Sequence, residues 1–446
     1  MKNLFSAASA AFVVFAQSAS GQEAVDLEPI IVSGGLTPIE AARYGRSATV
    51  LTSEEIEERG LATVQDALRA IPGVSVNGSG HSYTQVRIRG GEANHTLILI
   101  DGIPAAGGDG EYILTGLETA NIERIEVLRG PQSVYYGSNA SAGVINIITR
   151  KGNAGLEYGG TVEVGDGWAA TARLSQRSEQ GGISVGLSKR QDDGWDYSGS
   201  DGEKDGIDRR TLQLAGDYRV GDSLRIGLTF RKSEERYDYD STSYTATGAA
   251  GYVVDDPTQY SDRDEQTAQL WLEYTGVGGR VAHRFSLERT DYDQSYNGLA
   301  PTETETSAAK YRLSYGLDGA ASTANHLLNL MIEHKKDSSS SNSQYEREAD
   351  SIAVEYRGSL QSGLDVQLGV RHDDNSVFGD ANTWTAGLSY QFANGMRLHA
   401  SAGTGVVNPN YYELYADSAY SGVSYLGNPD LNPERNRSFD IGVEIP

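Results

Sequence analysis

Cysteine is absent from this sequence of 446 residues, which excludes disulfide bridges and metal sites built from thiolates. Basic residues are scarce as well, because 37 Lys and Arg face 61 Asp and Glu and leave a formal net charge of −24. Nucleic acid is therefore not expected as a partner, since phosphate recognition depends on Lys and Arg. Long apolar runs are also missing, so a passage through a membrane would have to use strands rather than helices.

The first residues have the three-part pattern of a secretory signal. Lys2 supplies a positive start, residues 7–16 form a short apolar stretch, and Ala19 and Gly21 are small residues suited to cleavage. The pattern predicts a signal peptide over residues 1–21 and export from the cytoplasm. A disordered N-terminal tail is the alternative.

Residues 86–151 carry four short runs rich in β-branched and aliphatic residues, each bounded by Gly, Pro, Asn or Asp. These runs are 86–88, 97–100, 125–128 and 144–148. They predict a small mixed sheet with polar loops. Upstream, residues 52–59 and 63–70 predict two short helices, because Thr52 and Thr63 each precede an acidic residue at capping-box spacing.

At these residues the chain resembles the plug domain of TonB-dependent outer-membrane receptors. IRGG, LIDG and RGPQSVYYGSNASAGVINI occur in the family's order between residues 88 and 148. The resemblance implies an α+β plug over residues 38–151 that fills the lumen of a transmembrane barrel over residues 152–446. It also implies a place in the cell outer membrane among its lipids, the TonB energy-transducing complex as partner, nutrient uptake as the activity, and no enzymatic reaction.

From Leu156 onward apolar and polar residues alternate with a period of two, which predicts about fourteen antiparallel strands. A soluble sandwich would share this pattern. The signal, the plug and the Tyr and Trp residues near strand ends favour an all-β membrane barrel. Tight turns are predicted at 166–167, 220–222, 361–363 and 393–395, and long outer loops at 192–208, 234–265, 293–306 and 408–433.

Fourteen strands are fewer than the twenty-two or so that a plugged transporter barrel needs. Hydrocarbon does not tolerate the two unpaired edges of an open barrel. The sequence therefore predicts a C-terminally truncated barrel, so that either the gene continues beyond Pro446 or this polypeptide fails to insert stably.

A short apolar segment with one proline follows the predicted signal. Such a segment is available to add as a strand to the sheet edge of a partner. The resemblance places the TonB box here, followed by a linker up to residue 37, while a simple linker throughout remains the alternative. The predicted box residues are Leu27, Glu28, Pro29, Ile30, Ile31, Val32 and Ser33.

Within the family the chain is most similar to cobalamin (vitamin B12) receptors, at DGWDY (193–197), VRHDDNSVFGDANTW (370–384) and GNPDLNPE (427–434). This likeness implies a small-molecule metal chelate as substrate, namely cobalamin or another corrinoid. A ferric-siderophore or haem receptor is the alternative, and a signal-transducing receptor is a third reading. The substrate is expected to bind at the plug tips, through His81, Ser82, Tyr83, Gly108, Asp109, Glu111 and Tyr112.

Two predicted loops concentrate carboxylates. Asp201 opens a stretch with the first spacings of a calcium-hand loop, but its twelfth position is Leu212 rather than a glutamate, so that motif fails. Oxygen ligands from both loops would still suit calcium, and a solvated acidic surface is the equal alternative. The candidate ligands are Asp193, Asp196, Asp205, Asp208, Asp238 and Asp240.

The resemblance also implies charged residues that latch the plug to the barrel wall. They are Arg87, Arg89, Glu123, Glu126 and Arg129. Ordinary solubilising charge on a small sheet is the alternative for this set.

Overall fold

The computed structural model describes residues 30–79, 83–107, 112–114, 116–243, 245–248, 251–276, 278–341, 345–420 and 423–445. The predicted signal peptide and Leu27, Glu28 and Pro29 of the predicted TonB box lie outside these residues. The described chain forms a small α+β plug followed by one large antiparallel sheet, as the sequence predicted.

The plug is built from short elements. In chain order they are β1 (Ile30–Ile31), β2 (Ile39–Glu40), β3 (Ala48–Thr52), α1 (Ser53–Glu58), α2 (Val64–Arg69), β4 (Val74–Ser79), β5 (Tyr83–Ile88), β6 (Thr96–Ile100), β7 (Ile103–Pro104), β8 (Ile122–Arg129), α3 (Ser133–Tyr136) and β9 (Gly143–Thr149). The central sheet has the order β3-β8-β9-β6-β7, and it is mixed because β6 and β9 run parallel. The run at 86–88 does not join this sheet, since it pairs with β4 in a separate hairpin.

Both predicted helices are present, and their caps explain where they begin. The Thr52 hydroxyl accepts from the Glu55 amide, and the Glu55 carboxylate accepts from the Thr52 amide, which completes a capping box. The Thr63 hydroxyl accepts from the Asp66 amide at 3.2 Å. Helix α2 then buries Leu68 in the apolar core of the plug. Within the described residues, no helix combines the length and apolar character needed to cross a membrane.

The large sheet is a meander of fourteen strands in which each strand pairs with the next. The elements after the plug are β10 (Gly155–Gly165), β11 (Gly167–Ser178), β12 (Gly181–Trp195), β13 (Asp205–Val220), β14 (Leu224–Asp238), β15 (Ser241–Thr242), β16 (Val253–Val254), β17 (Tyr260–Gly276), β18 (Val281–Tyr296), β19 (Thr302–Gly316), β20 (His326–Ser339), β21 (Glu346–Ser359), β22 (Leu364–Asn375), β23 (Ala381–Gln391), β24 (Arg397–Val407), α4 (Tyr411–Tyr415), β25 (Asp417–Tyr420), β26 (Val423–Leu426) and β27 (Glu434–Glu444). Strands β15, β16, β25 and β26 form two hairpins outside the large sheet, whose edges are β10 and β27.

The two faces of the large sheet differ in chemistry. Leu228, Leu270 and Leu287 stand directly opposite one another on neighbouring strands and are exposed on the outer face. Their chain neighbours Thr229 and Glu288 point inward and are buried. An apolar outer face with a polar inner face suits a barrel wall surrounded by hydrocarbon.

Long loops gather at one end of the sheet and most short turns at the other, as predicted. The turn at Asp166 is an exception, because its carbonyl accepts from the Asp193 amide at 2.9 Å and so lies at the long-loop end. The predicted loops are also too long: Asp205, Asp208 and Asp238 belong to strands β13 and β14. The sequence hides these strand ends because both faces of the strands are polar there, which removes the alternation.

Candidate functional site

Residues 30–33 of the predicted TonB box are docked on the plug. Ile31 is buried and pairs with Ile39, while the amides of Val32 and Ser33 each donate to the Glu126 carboxylate at 3.0 Å. The Ser33 hydroxyl donates to the same carboxylate at 2.5 Å. Glu126, expected to latch plug to barrel, therefore holds the N-terminal segment instead, because its side chain lies buried inside the plug.

The segment after the box is hydrogen-bonded to the inner wall of β21 and β22. The sequence did not predict this contact. The Leu36 amide donates to Glu355 at 3.2 Å, and the Gln367 amide group donates to the Gly34 carbonyl at 2.9 Å. Arg357 donates to the Pro38 carbonyl at 2.8 Å. The barrel wall thus binds the segment that links the predicted box to the plug.

Among the other expected latch residues, Arg89 pairs with the barrel: its guanidinium lies 2.6 Å from the Asp440 carboxylate on β27. The remaining residues contact the plug itself. Arg87 donates to Gln85, Glu123 pairs with Arg124, and Arg129 donates to Thr49 and to the Pro72 carbonyl. These three side chains thus contact neighbours within the plug in place of the expected barrel residues.

Most of the expected plug tips, namely His81, Ser82, Gly108, Asp109 and Glu111, lie outside the described residues. Tyr83 pairs with Ser79 at the end of hairpin β4–β5. Tyr112 is not an open tip, because it is only 5% exposed and its hydroxyl donates to Glu265 on the barrel wall at 2.9 Å. Tyr112 therefore joins plug and wall, and its expected role as a direct substrate contact stays a prediction.

The wall that receives Tyr112 carries a buried ionic cluster on strands β13, β14 and β17. Its members are three arginines and two glutamates that all point inward, namely Arg209, Arg231, Arg263, Glu235 and Glu265. Arg209 lies 2.6 Å from Glu235 and 2.9 Å from Glu265, and Arg231 lies 2.9 Å from Glu265. We call this set the wall cluster.

A narrow cavity of about 80 Å³ lies between the plug and strands β18–β21. Asn94 and Asn139 of the plug line it, together with Glu288, Lys310 and Arg347 of the barrel. Small-molecule sites usually measure about 300–1,000 Å³. The cavity is therefore too small to hold a large nutrient.

Carboxylates meet at the long-loop end of the wall. Oxygens of Glu203, Asp240 and Asp255 lie within 4.8 Å of one another. Burial raises the pKa of Asp240, and the charges of Asp196 and Asp255 add to that rise. Burial and a side-chain hydrogen bond with Asp255 likewise raise the pKa of Glu203.

The expected calcium ligands divide between this cluster and other surfaces. Asp240 belongs to the cluster, and Asp196 acts on it electrostatically, while one Asp205 oxygen is buried without a hydrogen-bond partner. Asp193 and Asp238 are exposed, and Asp208 forms an ion pair with Lys189 on the outer face. Glu203 and Asp255 were not among the expected ligands, because a single sequence does not show which loop tips meet.

Two family models cover almost the whole of this architecture. The TonB-dependent receptor plug domain matches residues 41–144, and the TonB-dependent receptor-like β-barrel matches residues 137–445. The chain belongs to the TonB-dependent receptor family. Its members are outer-membrane β-barrel receptors and transporters that work with TonB, and they are not enzymes.

Among curated proteins, the receptor is 24% identical to the vitamin B12 transporter BtuB of Vibrio vulnificus (strain YJ016), over 99% of this chain and 71% of the relative. Among solved structures, the siderophore receptor PirA from Pseudomonas aeruginosa matches with a TM-score of 0.70 and 22% identity, over 90% of this chain and 71% of that chain. The siderophore receptor PiuA from Acinetobacter baumannii matches with a TM-score of 0.69 and 15% identity, over 94% and 72%. These structural matches establish the fold of the receptor and leave its substrate open.

Proposed function

We propose that this receptor takes up a corrinoid such as cobalamin across the outer membrane. The observation that carries the proposal is the carboxylate cluster of Glu203, Asp240 and Asp255 at the long-loop end of the barrel. Anionic ferric siderophores would meet like charge there and would be disfavoured. The likeness to a vitamin B12 transporter along nearly the whole chain supports the same substrate class.

Calcium fits this cluster as a structural ion in the proposed function. It prefers six to eight oxygen ligands, and carboxylates from separate loops supply several of them. The carboxylates repel one another when they are ionised, so a divalent cation would offset the repulsion and hold the loops together. We expect the ordered loops to bind substrate more tightly.

The test is a binding titration of the purified receptor with cyanocobalamin and with a panel of ferric chelates, each in calcium and in a chelator. We expect saturable cyanocobalamin binding that calcium strengthens. Asp240→Asn combined with Asp255→Asn should abolish the calcium effect. Asp208→Asn is the matched control, because Asp208 pairs with Lys189 on the outer face. Tight binding of a ferric chelate without cyanocobalamin binding would assign the receptor to siderophores instead.

We further propose that TonB docks by strand addition at residues 27–33. Residues 30–33 are held by Glu126 and by pairing with β2, so they have to leave the plug before a partner can use them. Ile31→Pro removes a backbone donor and should stop uptake while substrate still binds. Ile30→Ala keeps every donor and should transport normally. Normal uptake by the proline variant, at normal expression, would refute docking at this segment.

A further inference from the structure

One short stretch of the plug lies against the wall of β12, β13, β14 and β17. We call it the anchor strip, and it comprises the described residues 112–114 and 116–118. Three of its residues meet the wall: Tyr112, Gly116 and Glu118. Each of these contacts is made to a buried residue of the wall.

The Tyr112 hydroxyl forms hydrogen bonds with three charged side chains. Its hydroxyl donates to Glu265 at 2.9 Å and accepts from Arg209 and Arg231, each at 3.3 Å. All three partners are almost fully buried, so water does not replace the hydroxyl easily. Hydrogen bonds to charged groups are stronger than those between neutral groups, and removing one partner leaves the other buried and unsatisfied.

Gly116 and Glu118 bring the backbone of the strip close to the same wall. A Cβ atom on Gly116 would lie 2.8 Å from the Ile207 side chain and 3.1 Å from that of Arg209. The residue has a φ of +69°, which favours glycine. Two positions further on, the Glu118 carboxylate pairs with Arg190, with Oε2 and Nη2 3.2 Å apart. The strip is therefore held by a buried hydroxyl, a close backbone approach and a buried ion pair.

The strands that hold Tyr112 also carry the acidic loops. Strand β13 begins at Asp205, just after Glu203, and β14 ends at Asp238, two residues before Asp240. Strand β17 begins at Tyr260, after Asp255. The wall cluster thus lies on the three strands that border the loops carrying the carboxylates of the proposed substrate entrance.

We propose that Tyr112 is a positioning residue for substrate binding: through the wall cluster, its hydroxyl fixes the anchor strip relative to the acidic loops. A substrate that bridges plug and loops needs these two surfaces at a set separation, and Tyr112 sets it. The predicted effect on substrate binding rests on the proposed uptake function, whereas the attachment of the anchor strip to the wall cluster does not.

The decisive variant is Tyr112→Phe, which keeps the ring and removes the hydroxyl. We expect amide hydrogen exchange in residues 112–119 to rise at least fivefold in the substrate-free receptor. The dissociation constant for cyanocobalamin should rise roughly tenfold, as expected for loss of a hydrogen bond to a charged group. Tyr292→Phe is the control. It removes a barrel hydroxyl that accepts from Arg263 of the wall cluster at 3.3 Å, and it keeps the Tyr112 hydroxyl of the plug. It should change neither quantity.

A double-mutant cycle separates positioning from a general loss of stability. Tyr112→Phe and Glu265→Gln should be strongly non-additive in both readouts, because they remove the two ends of one contact. Gly116→Ala should reproduce the faster exchange, since the added methyl forces the strip away from Ile207.

Each readout can overturn a different part of the proposal. Wild-type exchange rates in Tyr112→Phe would refute the anchor whatever the substrate is. Faster exchange with unchanged cyanocobalamin affinity would refute the positioning role. If the wild type binds no cyanocobalamin, the proposed function fails, and the exchange data still decide whether Tyr112 anchors the strip.

Discussion

Plug and barrel place their apolar and charged residues in opposite ways. The plug buries residues such as Leu68, Ile125 and Ile145 in a compact apolar core. The barrel wall exposes leucines such as Leu270 outward and buries charged residues such as Arg263 and Glu265 on its inner face. The plug therefore folds as a water-soluble domain does, by removing apolar surface from water. The barrel depends on lipid outside and on ion pairs inside.

This difference explains how the two parts fit together. The inner wall is mostly polar, so plug and wall meet largely through hydrogen bonds and ion pairs such as those of Tyr112, Glu118 and Arg89. The apolar contacts across this boundary are smaller, as where Val134 of the plug packs with Met331 of the barrel. Polar contacts can be exchanged for water when the plug moves, whereas a shared apolar core would resist movement. Where these contacts are buried, however, breaking them leaves charge without a partner.

The largest effect should come from breaking the ionic interior of the barrel. Glu265→Gln leaves Arg209 and Arg231 without their shared carboxylate, and we expect the free energy of unfolding to fall by about 3–5 kcal/mol. Denaturant unfolding of the detergent-solubilised receptor measures it. Glu234→Gln is the matched control, because that glutamate pairs with Arg210 and Lys232 on the outer face and should cost less than about 1 kcal/mol. Equal losses would mean that the buried cluster stabilises no more than surface pairs do.

The next effect should come from the plug core. Leu68→Ala removes a fully buried side chain and should lower plug stability by about 2–5 kcal/mol. Amide exchange should accelerate across the plug and change little in β13–β22, because Tyr292 is the one barrel residue among the described members of the core around Leu68. Leu61→Ala, at a partly buried position beside the same core, should have a smaller effect. Equal acceleration in barrel and plug would contradict independent stabilisation of the two parts.

The same contrast governs what the sequence could predict. Regular alternation marks the barrel strands, and capping pairs mark the plug helices, so both were predictable from local pattern. The contact between Tyr112 and Glu265 joins residues 153 positions apart, and no local sequence pattern indicates it. Charged residues at inward positions, such as Arg263 and Glu265, were the available signal for a buried cluster. Glu126 was misjudged because its partner is the N-terminal segment rather than the barrel.

A third substitution tests the apolar outer face of the barrel. Leu270→Arg places a charge within the row formed with Leu228 and Leu287, and should cost about 2–4 kcal/mol of membrane insertion. Gln266→Arg lies on the same face four residues closer to the loops and should cost about 0–1 kcal/mol. Folding into lipid vesicles, followed by denaturant titration, measures both variants. Similar costs would place this row of leucines outside the hydrocarbon.

The smallest effect concerns the carboxylates at the mouth of the barrel. The pKa values of Glu203 and Asp240 are both raised, so these groups take up protons at higher pH than ordinary carboxyls do. Their ionised forms destabilise the metal-free loop arrangement, and that destabilisation disappears as the pH falls through the raised pKa values. Calcium needs the ionised forms, so protons compete with it. We expect the calcium dissociation constant to rise severalfold as the pH falls from about 7 to about 5.

Trp195 provides a direct readout of this competition, because it lies beside Tyr197 next to the acidic loop, with ring centroids 4.7 Å apart. Calcium titrations that follow its fluorescence at several pH values give the affinity. Asp240→Asn should weaken calcium binding and flatten the pH dependence together, since one group causes both. Asp208→Asn should alter neither, because its partner Lys189 lies on the outer face. A calcium affinity that does not change with pH would show that Glu203 and Asp240, whose pKa values are raised, are not calcium ligands. The acidic loops would then act only through their charge.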